Sequence, residues 1–290
     1  MTILHKVPQS VAITFYPRSG RAIDIAAEMA NFIAERGLTI LHAPLYDEAL
    51  RNQVLDGSFD LLIALGGDGT MLRAGHLCAP PKVPILGINT GSLGFLIEIA
   101  GDDWQAAIER VLAGEYWLEE RMMLRAEHRR GAQVLGVWDV LNECVVGRGE
   151  TVRPVHLRAE IDEHYLTTYV ADALIIATPT GSTAYALAAG GPILLPKLRN
   201  ILLVPVAPHL SVDRAIVLHE GSWVRVVVRT EHQATLCVDG QVPIPLEDQD
   251  QVDVRVSEHT VHFVRLQETD YFYRNLTSRM NRNPSAGINA

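Results

Sequence analysis

Residues 61–74 read LLIALGGDGTMLRA: five apolar residues, three glycines around one aspartate, then a threonine opening a helix-like stretch. An unbroken apolar run of this length suits a strand covered on both faces, and Met71, Leu72 and Leu77 can start a helix behind it. Gly66, Gly67 and Gly69 then fall at the carboxyl end of a parallel strand, the edge where open α/β sheets bind ligands, with backbone N–H groups able to hold phosphate. The unusual member is Asp68. A carboxylate within about 4 Å of a phosphate oxygen is repelled by about 4 kcal/mol at an effective dielectric near 20. A helix N-terminus returns only roughly 0.3 to 2 kcal/mol. A phosphate turn holding Asp68 therefore needs a divalent cation, or needs the carboxylate aimed at something protonated, such as an alcohol about to attack the phosphate. Both belong to phosphoryl transfer to a hydroxyl, and Arg73 is the nearest candidate cation. Taken alone, an ordinary strand-to-helix turn capped by Asp68 accounts for the same residues equally well.

Composition bounds the rest. The 290 residues, 48% hydrophobic and 20% charged, suffice for one or two domains with a substantial core. A formal net charge of -9 argues against a nucleic-acid partner, so attraction for anionic ligands must be built locally. Apolar runs such as 201–208, with its internal proline, are too short for a bilayer, and residues 1–9 lack the regions of a signal peptide. The expected address is cytoplasmic, without a membrane partner. Cys78, Cys144 and Cys237 are odd in number, far apart and match no ligand spacing, and read as buried reduced thiols.

The periodicity changes once along the chain. Short apolar runs (11–15, 61–65, 85–88) first alternate with helical stretches, the pattern of a parallel sheet wrapped by helices. One helix is predicted over about residues 21–36, with Ile25, Met29, Phe32 and Ile33 on one face and Gly37 as its stop; another is predicted over about 102–113. Beyond Trp117 strand follows strand: 134–146, 155–161, 224–228, 235–238 and 252–256, the last alternating Val252, Val254, Val256 with Asp253 and Arg255. The fold class is thus α/β, with a Rossmann-like parallel-sheet domain over 1–115 and a mostly-β, sandwich-like domain over 116–266. A carboxyl-terminal segment over 267–290 is expected to return to the first domain and end in a frayed tail.

Three further stretches accompany the glycine turn: NTGSLGFL (89–96), LNE (141–143) and TPTGSTAY (178–185), the last running on into ALAAGGPIL. GGDGT (66–70) resembles the signature shared by NAD kinases, diacylglycerol and sphingoid lipid kinases and, in variant form, phosphofructokinases, and chooses none of them. With the other three in order, the sequence is similar to the NAD kinase family from about residue 11 to about residue 280. The motifs also carry readings of their own. Gly91 and Gly94 give a second turn at the same sheet edge, walling a cleft. Asn142 and Glu143 interrupt an apolar run, with an amide suited to an adenine edge and a carboxylate suited to ribose hydroxyls. In TPTGSTAY, Ser182 or Thr183 can cap a helix near Ala184; the hydroxyls of Thr178, Thr180, Ser182 and Thr183 would also line a dinucleotide pocket, with the Tyr185 ring against a base.

The resemblance implies ATP, NAD and a divalent metal ion, magnesium by preference, with a homodimer or homotetramer whose second domains complete each other's sites. Asp68 would be the base that takes the proton of the adenosine 2'-hydroxyl, and Gly66, Gly67, Gly69 and Thr70 would cradle the donor phosphates. Asp68, Gly69 and Arg73 would also touch NAD. Asn142 and Glu143 would hold its adenosine part, with help from Arg153, Asp172, Thr183, Ala184, Tyr185, Ala186, Leu187 and Ala188, and Gln241 would be a further NAD contact. Metal ligands are not assigned. Two departures stand out: Asp172-Ala173 where the family usually has Asp-Gly, and Arg214-Ala215 where it has Arg-Pro. The first threatens the backbone at Asp172 if that glycine needs positive φ. Inorganic polyphosphate in place of ATP, a lipid substrate and a catalytically silent nucleotide sensor are the other readings of these residues.

Overall fold

Apolar strands and amphipathic helices alternate as far as residue 112: β1 (Ser10–Phe15), α1 (Gly20–Ala34), β2 (Thr39–Pro44), α2 (Glu48–Leu55), β3 (Leu61–Gly66), α3 (Asp68–Cys78), β4 (Ile85–Asn89), β5 (Ile99–Ala100) and α4 (Trp104–Leu112). Strands then dominate: β6 (Trp117–Arg130), β7 (Gln133–Val140), β8 (Glu143–Arg148), β9 (Val155–Ile161), β10 (His164–Ala171) and β11 (Ala173–Ala177), followed by α5 (Tyr185–Ala188). The chain continues through β12 (Asn200–Val206), β13 (Ile216–His219), β14 (Val224–Arg229), β15 (Ala234–Val238), β16 (Ile244–Leu246) and β17 (Gln251–Arg265) to α6 (Tyr271–Met280). This is a computed structural model describing residues 6–91, 94–209 and 212–280, so Ser92, Leu93 and the tail from Asn281 lie outside the described residues. They fall into two compact units: those up to Glu120 with those from Val261 onward, and those from Arg121 to Thr260.

In the first unit the parallel strands run in the order β4-β3-β1-β2, with β5 and the end of β17 also pairing β4. All six residues of β3 are buried, as an unbroken apolar run demands. One face is covered by α1, through Ile25, Met29 and Ile33, and by α4, through Trp104, Ile108 and Val111. The opposite face takes α3: an added Cβ at Gly87 of β4 would lie 2.7 Å from the Met71 sulfur. Because β1 leads outward to β2 while β3 leads the other way to β4, the strand order reverses between β1 and β3. That reversal opens a crevice beyond their carboxyl ends. Helix α1 starts at Gly20, its Ser19 side chain accepting from the Ala22 N–H, and Gly37 takes φ +81 three residues past Ala34. The second predicted helix is shorter than expected, a 3-10 turn at Gly101–Asp103 preceding α4.

In the second unit a six-stranded antiparallel sheet, β13-β12-β11-β8-β15-β16, faces strands β9, β10, β14 and the unit's part of β6 and β17 across one core. Leu174 and Ile176 from one sheet and Val224, Val226, Val252 and Val254 from the other are all buried in it. One expectation changes. The strand predicted over 134–146 is two strands, β7 and β8, broken at Leu141-Asn142. Asp253, which alternates with the valines of β17, is also buried, and Arg225 holds it with two hydrogen bonds of 2.7 and 3.1 Å. Cys78 and Cys144 are buried free thiols, whereas Cys237 is partly exposed.

Ala173 causes no strain. It is the first residue of β11 and is not among the residues with positive φ. Its methyl is accommodated by the facing strand, where Ala173 pairs with Gly147 and a Cβ on Gly147 would come within 2.9 Å of the Ala173 methyl. Gly147→Ala is therefore expected to destabilise the protein by about 1–3 kcal/mol, and Ala173→Gly in the same chain to recover part of that loss, both read from urea unfolding.

Candidate functional site

Helix α3 begins at Asp68, three residues earlier than predicted, so Asp68 is its first residue and Gly67 its N-cap. The carboxylate sits at the positive end of the helix, where an anion is favoured. Both of its oxygens are also held by backbone: the Phe95 N–H donates to Oδ2 at 2.7 Å and the Leu96 N–H to Oδ1 at 3.0 Å. Gly94 makes this possible, since a Cβ there would lie 2.2 Å from all three carboxylate atoms. Residues 94–96, the end of the NTGSLGFL stretch, thus grip the aspartate. The stretch is tied back to the glycine turn by Thr90 N–H donating to the Gly66 carbonyl at 3.3 Å.

The glycines differ in what they do. Gly66 is packed against Thr70, whose Oγ1 would be 2.2 Å from an added Cβ. At Gly67 an added Cβ meets nothing within 4 Å, and φ is -115. Gly69, exposed and helical, would meet only Arg73, at 3.9 Å. Neither position needs glycine for strain or packing, and Gly69 costs its helix about 0.5–1 kcal/mol relative to alanine. What the missing side chains leave is bare backbone open to close approach by a ligand. Arg73 is exposed beside the turn, its guanidinium 5.8 Å from the Tyr46 ring.

The second set gathers at one end of the six-stranded sheet. Glu143 pairs with Ala177, and Val238 with Cys144, so the segments following β11 and β15 meet the Asn142-Glu143 break. A residue not singled out in the sequence organises this break: Asp239, whose carboxylate accepts from the N–H groups of Leu141 at 2.7 Å, Asn142 at 2.8 Å and Glu143 at 2.9 Å. The only sequence signal for it is the Asp239-Gly240 pair, a turn signature borne out by φ of 47 and 66. Gly181 packs directly on the same break, since a Cβ there would lie 2.1 Å from the Asn142 carbonyl oxygen.

Glu143 is 7% exposed and its Oε2 has no partner. Burial pushes its carboxyl up to about 8, the Asp239 charge adds to the rise, and the Tyr185 N–H donating to it works the other way. An unpaired buried carboxyl oxygen is costly unless something outside the chain completes it. Tyr185 itself is 45% exposed, leaving its ring available to a base.

The hydroxyl cluster does not stand as expected. Thr178 donates to the Leu141 carbonyl at 2.6 Å, Arg121 donates to Thr180 at 3.0 Å, and Ser182 donates to the Pro179 carbonyl at 2.7 Å, all three being buried. They are struts of the loop, because burial obliges each hydroxyl to find a protein partner. Neither Ser182 nor Thr183 caps α5, which has no side-chain cap; Thr183 donates to the Thr180 carbonyl at 3.1 Å and is only partly buried. Ala184, Ala186, Leu187 and Ala188 surround Tyr185, with Ala186 buried and Ala188 exposed. Gln241 is exposed just beyond Asp239. Arg153 and Asp172 are not brought to this end. Asp172 precedes Ala173, which faces Gly147 near the far end of β8, roughly 15 Å along the strand from Glu143; it holds Arg148 at 3.2 Å, while Arg153 lies in the exposed loop beyond, beside His232. The histidines form no ligand set: among the described residues no three of His, Cys, Asp and Glu converge as a metal site.

A glycine turn carrying a carboxylate at the edge of an α/β sheet, in one unit, and a buried glutamate with one unpartnered oxygen near an exposed tyrosine, in the other, are features suited to a nucleotide-dependent kinase. Residues 45–116 match the family model described as the ATP-NAD kinase N-terminal domain, and residues 141–266 the ATP-NAD kinase C-terminal domain. An NAD kinase of Chloroflexus aurantiacus is 42% identical over 275 residues, covering 94% of this chain and 99% of the relative. One of Geotalea daltonii is 38% identical, covering 91% and 95%. Among solved structures, a yeast NADH kinase complexed with NADH superposes with a TM-score of 0.80 at 25% identity, over 99% of this chain and 91% of that one. An Archaeoglobus fulgidus NAD kinase in complex with ATP gives 0.75 at 24%, over 93% and 98%, a likeness of fold. The chain belongs to the NAD kinase family, whose reaction is the phosphorylation of NAD to NADP. Among the described residues no helix is long and apolar enough to cross a membrane.

The raised Glu143 carboxyl has a consequence for stability. Its folded value of about 8 lies above the ordinary 4.5, so its contribution is fully present below about pH 4.5, falls as pH rises toward about 8 and is flat beyond. Glu143→Gln, which cannot titrate, is expected to gain on the wild type across that window, by up to a few kcal/mol. Thermal unfolding of both proteins from pH 5 to pH 9 checks this; parallel curves would refute it.

Proposed function

We propose that the chain transfers the γ-phosphoryl group of ATP to the 2'-hydroxyl of the adenosine ribose of NAD, with Asp68 as general base. The observation that carries this reading is the fixture of Asp68: first residue of a helix, at the crevice of the sheet, both oxygens oriented by the Phe95 and Leu96 N–H groups. A base must be held within hydrogen-bond reach of the proton it takes, and a rigid carboxylate meets that demand. Gly67, Gly69 and Thr70 offer the donor phosphates bare backbone at a helix start, and Arg73 an exposed positive charge. Asn142 and Glu143 serve the adenosine part of NAD, where a ribose hydroxyl would complete Glu143 Oε2. A divalent ion, magnesium by preference, would arrive with the donor and would supply charge neutralisation there, since no set of three acidic, histidine or cysteine side chains converges to hold one among the described residues. Inorganic polyphosphate presents the same oxygens and is the alternative donor.

Asp172 lies roughly 15 Å along the strand from Glu143, too far to share its ribose, and Arg153 stands in the exposed loop after β8. This favours a homo-oligomer in which they serve the NAD of a second copy. If so, separately inactive Glu143→Ala and Asp172→Ala chains would regain activity on being mixed and reassembled. No recovery would count against the shared site.

With ATP, magnesium and NAD the purified protein should form NADP. Asp68→Asn should lower turnover by about 10²–10⁴ while dinucleotide still binds in calorimetry. Gly94→Ala should do likewise by pushing the carboxylate aside. An Asp68→Asn enzyme turning over at the wild-type rate would end this reading.

A further inference from the structure

We propose that Arg265 is a positioning residue for Asp68, acting through the Leu96 segment of backbone; the inference rests on Asp68 being the base. Arg265, the last residue of β17, is 2% exposed. Its Nη1 donates to the Leu96 carbonyl at 2.9 Å and its Nε to Glu119 Oε2 at 2.8 Å. Glu119, itself buried, also accepts the Tyr271 hydroxyl at 2.9 Å. The guanidinium lies 4.9 Å from the Tyr271 ring and 5.2 Å from the Phe263 ring, between the end of β17 and the start of α6. On the other side of the same residue, the Leu96 N–H holds Asp68 Oδ1. Leu96 is thus pinned twice: its carbonyl by a buried cation, its N–H by the carboxylate.

The chemistry of the cluster separates positioning from mere packing. Burying a guanidinium and its glutamate is costly, and well-packed apolar side chains at such places usually stabilise a fold at least as well. An apolar residue cannot do one thing Arg265 does, which is to donate to the Leu96 carbonyl while its other nitrogen is anchored by Glu119. The planar fork fixes that donor in direction, where a lysine ammonium would act as a swivelling point charge. Glu98 completes the setting, its Oε1 accepting from the N–H groups of Leu266 and Gln267, so the backbone just after Arg265 is held to the same loop. The loop that orients the base is therefore clamped by a segment some 170 residues away in sequence, Arg265 standing 169 residues from Leu96.

The test is a double-mutant cycle on NADP formation. Arg265→Lys should lower kcat by about ten- to a hundredfold, as expected for a reacting group misplaced by about 1 Å, with KM for NAD and ATP within about twofold of wild type. The milder Glu119→Gln, which keeps shape and one hydrogen bond, should lower kcat by about three- to tenfold in the same pattern and guards against a misfolded lysine variant. In an Asp68→Asn background, followed by labelled phosphate over hours, neither change should cost more than about twofold, because the group they position is already gone. Folded variants with wild-type kcat, or losses as large in the Asp68→Asn background as in the wild type, would overturn the proposal. Failure of the underlying reading looks different: the wild type would form no NADP, or Asp68→Asn would retain full turnover, before any Arg265 variant is compared.

Discussion

The first unit depends on a carboxylate placed at the start of a helix and gripped by the backbone of a separate loop. Asp68 carries a negative charge to the carboxyl edge of the sheet, and a second anion brought within about 4 Å of it would be repelled by about 4 kcal/mol, more than a helix end returns. The Phe95 and Leu96 N–H groups reduce that conflict and fix the side chain's direction. Every neighbouring choice follows from this. Gly94 has no side chain because the carboxylate occupies its place. Thr70 closes on Gly66 beneath the turn, and Gly67 and Gly69 stay bare above it.

The second unit uses the same pairing of a carboxylate with backbone N–H groups for another end. There a carboxylate, Asp239, gathers three successive backbone N–H groups and so holds open a break between β7 and β8. A strand continuing through 141–142 would have satisfied those donors in a ladder and sent Asn142 and Glu143 to opposite faces. The break instead sets Glu143 beside a second acid in a buried place, which raises its proton affinity and leaves one oxygen waiting. Buried polar atoms left unpaired in a stable chain point to a ligand more directly than exposed ones do.

Much of this was legible in the residues alone, for physical reasons that differ by element. The run 61–65 announces a covered strand because only both-sided burial tolerates five apolar residues in a row, and the glycines after it mark the sheet edge. Helix α3 starts earlier than the residues indicate because Gly67, Asp68 and Gly69 are poor helix formers, and the strand end and the loop contacts to Asp68 impose the first turn. Hydroxyls at Thr178, Thr180 and Ser182 looked available because composition does not report burial. Gly94's role and the Arg265 clamp leave no signal in the residues, since each acts on distant partners, up to 169 residues away, through contacts with no local period, and Asp239 shows only as the start of an Asp-Gly turn. Glu143 stands out in the sequence by its motif, while its raised proton affinity follows from burial and from Asp239, which only folding brings near.

The pairing of Gly147 with Ala173 bears on how such chains can be recombined. Two facing positions share room for a single methyl group, so each sets what the other tolerates. A chimera that takes β8 from a parent with a side chain at 147 and β11 from this protein would bring two methyls together in the middle of a buried sheet. The reverse exchange, joining this chain's Gly147 to a parental glycine at 173, would leave a methyl-sized void instead. Crossover points for segment exchange in this unit therefore belong outside 147–173, so that both strands are inherited from one parent.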